Sequence, residues 1–205
     1  EKETLQALYR AQTEAERDKL HVILLDEMNL SRPEQYFAEF LSAMEVSHDK
    51  RHIELMNSQP ASGAPTHLRD GRWIRLPSNV WFIGTANHDE TTNAFADKTH
   101  DRAFVLELPK QDLSSEKIER PKNSITWSFQ SLIDLFKSAE KQHQAEVRKL
   151  LKHINESALT TMLNDDFGLG WGNRLDQQMV RFMPVVIESG GTAALAVDHM
   201  LSTRM

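Results

Sequence analysis

Two short apolar runs, each ending abruptly on polar residues, constrain this chain more than any other feature. HVILLDEMN (21–29) places four apolar residues, Val22 to Leu25, directly before Asp26 and Glu27. NVWFIGTAN (79–87) places four more, Val80 to Ile83, before Gly84-Thr-Ala-Asn87. Unbroken apolar runs of this length predict strands covered on both faces, as in a parallel sheet. The crevice at the carboxyl ends of such strands is where open α/β sheets bind ligands.

Two readings of these residues stand side by side. The acids are the solvated end of a strand or partners for the next helix N-terminus, and Asn87 is a turn residue. Alternatively, one carboxylate holds a metal, the other activates a water, and the Asn87 amide orients that water against a phosphate.

The rest of the chain fills in an α/β part and a helical part. Residues 2–18 carry Leu5, Leu8 and Tyr9 at helical spacing, which predicts a helix. Ser31 reads as an N-cap, with Pro33 in the first turn and Glu34 placed for a capping box. Phe37, Phe40, Leu41 and Met44 form the stripe of that helix. Arg51–Met56 and Arg72–Leu76 read as a long-looped hairpin around a Pro/Gly/Ser-rich stretch. Residues 91–101 read as a short helix or loop, and Ala103–Leu108 as a further strand. After Pro109 the pattern turns polar, and helices are expected over 128–138, 140–163, 174–188 and 191–204. The expected division is therefore 1–109 and 110–205.

At 205 residues with 40% apolar content, a packed core is within reach. The net charge of −6 argues against a surface that is basic throughout. There is no cysteine, which rules out disulfides, thiolate metal sites and cysteine nucleophiles. With no signal peptide and no apolar run near ~18 residues, the expectation is a cytoplasmic protein without a membrane segment.

Taken in order, the motifs resemble the second half of an AAA+ NTPase domain, closest to its McrB-like and MoxR-like branch. HVILLDEMN resembles the Walker B segment, LPSNVWFIGTANHDETT the sensor 1 strand, and DKTHDRAF the segment carrying the arginine finger. The resemblance implies a partial parallel-sheet P-loop core followed by a mostly α-helical lid. It implies that Asp26 binds Mg²⁺ through water, Glu27 polarises the attacking water, and Asn87 contacts the γ-phosphate. Arg102 would reach a neighbouring subunit's site, and Arg174 would act as sensor 2 from the lid. From the residues alone, the alternative for Arg102 is a surface ion pair with Asp101 or Asp97, and for Arg174 a solvated loop residue. GTP-using relatives carry a different tetrapeptide where this chain has Asn87-His-Asp-Glu, so ATP is favoured over GTP. The implied parent is a homo-oligomeric ring acting on a macromolecule, nucleic acid or protein. A degenerate, non-hydrolysing scaffold is the alternative, and a metal-dependent hydrolase using Asp26 and Glu27 directly is a third.

No GxxxxGK[ST] phosphate loop occurs in the sequence. The chain opens on Glu1, inside an expected helix, and reads as a fragment whose missing loop precedes it. Alone it is expected to be inactive and open to dimerisation through exposed edges. The glycine-rich stretch 168–172 lacks a preceding strand and reads as a loop setting the next helix. His48 and His52 have i, i+4 spacing but no evident third ligand. The hairpin's Lys50, Arg51, Arg69, Arg72, Arg75 and Trp73 read either as a solvated surface or as contacts to nucleic acid or polypeptide.

Overall fold

The computed structural model of the chain describes residues 2–58, 63, 65–87, 93–96, 99, 102–108, 126–167 and 172–204, with the side chains of Phe167, Asn173, Arg174 and Arg204 outside that description. It is a mixed α/β protein with a small parallel sheet and a helical C-terminal region. Two compact units divide the chain, one taking in Glu1–Val105 and the other Gln130–Met205.

In the first unit, α1 (Lys2–Ala11) precedes β1 (His21–Leu25). The expected helix to residue 18 ends early. The side-chain amide of Asn79, 4% exposed, donates to the carbonyls of Ala11, Glu16 and Lys19 at 3.1, 3.3 and 3.0 Å. A buried amide from a distant loop thus takes the Ala11 carbonyl, which a longer helix would have used, and tertiary bonding overrides local propensity.

β1 pairs in parallel with β5 (Val80–Gly84), in a register running from His21 opposite Val80 to Leu25 opposite Gly84. One face of this pair is packed: Ile23 and Phe82 join the core of Leu8, Ala43, Ile53, Ile74, Leu76 and Val80. The expectation of cover on both faces is overturned, because Val22, Leu24 and Ile83 are about half exposed or more (51%, 60% and 48%). An apolar run cannot say which of its two sides finds a partner.

Ser31 does not cap a helix. It follows a single tight turn, Met28–Leu30, and Arg32 holds the N-cap position of α2 (Pro33–Tyr36) without a side-chain bond. α3 (Ala38–Glu45) continues after Phe37. Phe37 stacks on Phe40 with ring centres 4.8 Å apart, and both meet Phe82 edge-on at 5.0 and 5.4 Å. Each such aromatic contact adds roughly 0.5–1.5 kcal/mol to burial alone, so α2 and α3 are fastened to the packed face of β5.

The hairpin forms as β2 (His52–Glu54) against β4 (Trp73–Arg75), both shorter than expected, with an added strand, β3 (Leu68–Arg69), on the far side of β4. The expected strand over Ala103–Leu108 is absent: residues 104–108 have no regular structure, and Leu106 and Leu108 are 66% and 88% exposed. Among the described residues β5 pairs only with β1, and a lone strand cannot satisfy its backbone groups internally. Most of 91–101 and 110–127 lies outside the described residues.

The second unit is helical. The helix expected to break near residue 139 is continuous from Phe129 to Asn155 (α4), with Ala139 buried and no glycine or proline to interrupt it. The break falls at Glu156-Ser157, where Ser157 and Thr160 hydroxyls both donate to the Ile154 carbonyl, at 2.6 and 2.7 Å. α5 (Ala158–Phe167), α6 (Asn173–Glu188) and α7 (Ala193–Arg204) follow. Val147 and Leu151 pack with Met179, Met183, Ala196 and Met200, and the three methionines are fully buried. No helix among the described residues is long and apolar enough to cross a membrane.

Candidate functional site

The β1–β5 register ends with Leu25 beside Gly84, so the next residues of each strand emerge at one tip. The Thr85 N–H donates to the Leu25 carbonyl at 3.0 Å, extending the ladder by one bond. Beyond it, Thr85 fastens three consecutive residues. Its hydroxyl donates to Asp26 Oδ1 at 2.5 Å and accepts the Glu27 N–H at 2.9 Å, while its carbonyl accepts the Met28 N–H at 2.7 Å.

This clip holds Glu27 in an unusual conformation. Its φ of 50° and ψ of 46° are left-handed, which costs a residue with a Cβ roughly 1–2 kcal/mol. The turn carries the chain away from the strand axis while both carboxylates stay exposed at the tip. Gly84 lets Met28 lie close, since a Cβ on it would sit 2.6 Å from Met28 Sδ and push that side chain aside. Tyr36 closes the turn from α2, its hydroxyl donating to the Met28 carbonyl at 2.9 Å. Partial burial raises the pKa of that phenol.

Asn29, only 4% exposed, ties the second strand's extension to this turn. Its amide donates to the Asn87 carbonyl at 2.8 Å and lies 3.4 Å from that of Asn93. Asn93 returns a backbone bond to the Asn29 carbonyl at 3.0 Å. Asn29 Oδ1 is buried with no hydrogen-bond partner among the described residues.

Three of the residues singled out in the sequence, Asp26, Glu27 and Asn87, therefore share one end of the sheet. Arg102 does not join them. Its Nε donates to Glu45 Oε1 at 2.8 Å, at the end of α3. The sequence offered Asp97 or Asp101 as partners; both lie outside the described residues, and the ion pair seen is with Glu45. Arg174 falls in the first turn of α6, in the other unit, and its side chain lies outside the described residues. Thr85 and Asn29, which organise the tip, were not singled out. Their only signal was position: a hydroxyl directly after a strand, and an amide inside a turn otherwise made of Met28 and Leu30.

Among the described residues no group of three or more His, Cys, Asp or Glu side chains is placed to hold a metal. Asp26 and Glu27 offer hard oxygen donors, with one Asp26 oxygen engaged by Thr85. That set fits a hard divalent cation such as Mg²⁺, which takes one or two carboxylates and completes its shell with water and substrate phosphate. It does not fit a site made wholly of protein ligands. Compared with protein-family models, with curated proteins and with solved structures, the chain matches none.

Proposed function

We propose that the β1–β5 tip is the water-activating half of an AAA+ ATPase site, belonging to a ring that couples ATP hydrolysis to remodelling or translocation of a macromolecule. The observation that carries the reading is the Thr85 clip, which bonds the Asp26 carboxylate and the Glu27 backbone N–H at the tip from which Asn87 also extends. In this reading Asp26 holds Mg²⁺ through water, and Mg²⁺ neutralises phosphate charge. Glu27 accepts a proton from the attacking water, and Asn87 orients that water. Left-handed strain at Glu27 has a purpose here, since strained backbone concentrates where side-chain aim matters.

Arg102 would serve a neighbouring subunit and must first leave Glu45. A partly exposed ion pair is worth about 0–1 kcal/mol, so release costs little. Arg174 would approach the phosphates from the helical unit. With no phosphate loop in the sequence, the chain is expected to bind Mg-ATP weakly and not to turn it over.

The test is paramagnetic NMR with Mn²⁺-ATP, Mn²⁺ standing in for Mg²⁺. Broadening confined to amides of Asp26–Leu30 and Thr85–Asn87, and lost in Asp26→Asn, is the expected result. Broadening elsewhere, or unchanged in that variant, would overturn the reading and leave the non-hydrolysing scaffold in its place. Equal broadening by Mn²⁺ without ATP would favour direct metal chemistry.

A further inference from the structure

A second site lies on the hairpin sheet. Ile74 of β4 points into the core at 2% exposure, so Trp73 and Arg75 lie on the opposite face. The register sets His52 opposite Arg75 and Arg69 opposite Trp73, and directly paired residues share a face. These four side chains, with Thr66 and His67, line a cavity of about 270 Å³. His67 is braced edge-on against Tyr9, ring centres 5.1 Å apart.

Among the described residues no carboxylate lines this cavity, on a chain whose net charge is −6. Three acids stand near it. Asp70 lies 3.8 Å from Arg69, with both side chains about two-thirds exposed. Glu54 lies opposite Trp73 but is engaged by Arg72 at 3.8 Å. The Asp49 carboxyl is held below its ordinary pKa chiefly by a Ser47 hydrogen bond, with Arg75 a smaller cause. Asp70 therefore competes with a ligand for the lining residue Arg69, and Asp49 more weakly for Arg75, but an exposed pair of this kind is weak and gives way to a phosphate.

We propose that this cavity binds a nucleoside phosphate, with Arg69 and Arg75 on the phosphate and the base stacked on Trp73. Arginine forks match phosphate oxygens, and an indole face accepts any base. The ligand is either a free nucleotide or one residue of a single strand. The two sources share this chemistry, and the site is separate from the β1–β5 tip.

The experiment is fluorescence anisotropy on the full chain in EDTA, so that no Mg-nucleotide binding at Asp26 contributes. The probe is a labelled oligothymidylate about a dozen nucleotides long, within the span of single-strand binders, and thymidine monophosphate is the competitor. Binding should weaken by about tenfold or more in R69Q/R75Q and about tenfold in W73L, in line with lost phosphate and stacking contacts. The salt slope should fall by about 1.4 in R69Q/R75Q, for two single-strand phosphates released. Removing the same charge from residues that do not line the cavity, in R148Q/K149Q, should leave binding within about twofold, as exposed charges that touch no phosphate are screened. Displacement by the monophosphate at matching concentration assigns the free nucleotide; failure to displace assigns the strand. No binding by either would overturn the proposal. So would equal loss in R148Q/K149Q, or polyglutamate binding as tightly and without regard to Trp73. R69Q/R75Q alters exposed side chains only, so it reads binding even where W73L disturbs the sheet.

Discussion

Asn79 offers a severe test of how the first unit is held together. Replacing it with Ala removes an amide that reaches three carbonyl oxygens between 3.0 and 3.3 Å. Two amide hydrogens make at most two full bonds, worth roughly 1 kcal/mol each, and the carbonyl of buried Ala11 is left without its partner at a further cost of about 1 kcal/mol. The sum is about 3 kcal/mol. In urea titration followed by the fluorescence of Trp73 and Trp81, with a slope of about 2 kcal/mol per molar, the midpoint should fall by about 1.5 M. Asn79→Asp is the sharper variant. It keeps the shape, loses the donor, and points carboxylate oxygens at three carbonyls, so it should be less stable than Ala. A midpoint shift below about 0.5 M for Ala, or an Asp variant more stable than the Ala variant, would refute the view that this amide ends α1 and anchors the approach to β1.

Other outcomes follow from the tip and its surroundings. Thr85→Val should abolish site-confined Mn²⁺-ATP broadening while Thr85→Ser retains it, since only the hydroxyl joins Asp26 to the Glu27 N–H. Glu27→Gly should raise unfolding stability by about 1 kcal/mol, because glycine adopts the left-handed region freely and the clip uses only the backbone N–H; the same change should remove any Glu27-dependent turnover in a chain supplied with a phosphate loop. Gly84→Ala should destabilise by about 1–3 kcal/mol in the same titration as Met28 is displaced. Tyr36 ionises above its ordinary value of 10.0 because burial disfavours the phenolate. Its contribution is therefore full below that value and lost as pH rises through the raised folded-state pKa, so Tyr36→Phe should flatten the alkaline limb of a stability–pH curve.

What could be read ahead of the structure tracks how local each determinant is. Val22–Leu25 and Val80–Ile83 announced themselves as strands because apolar continuity is a property of a few adjacent residues. Asp26, Glu27 and Asn87 could be placed at one tip because both runs end on polar residues at matching points. The hairpin followed from its turn-rich middle. The failures are non-local. Residues 12–18 look helical in isolation and lose that structure to Asn79. Residues 104–108 look like a strand and pair with none among the described residues. The exposure of Val22 and Leu24 depends on what packs over the sheet, which no alternation pattern encodes when both faces are apolar. Thr85 and Asn29 matter through bonds spanning 58 or 59 positions, beyond any window used to judge a turn.

That same separation has a kinetic meaning. Asp26 and Thr85 stand 59 positions apart, and closing so long a loop has an entropic cost that precedes any reward from pairing. The three-stranded β2–β4–β3 sheet lies wholly inside that loop. Once it has formed, far fewer free residues remain to be closed before β1 meets β5. The carboxylate tip is therefore expected to assemble last in its unit, and substitutions in the three-stranded sheet should slow its appearance even where they leave its final geometry untouched.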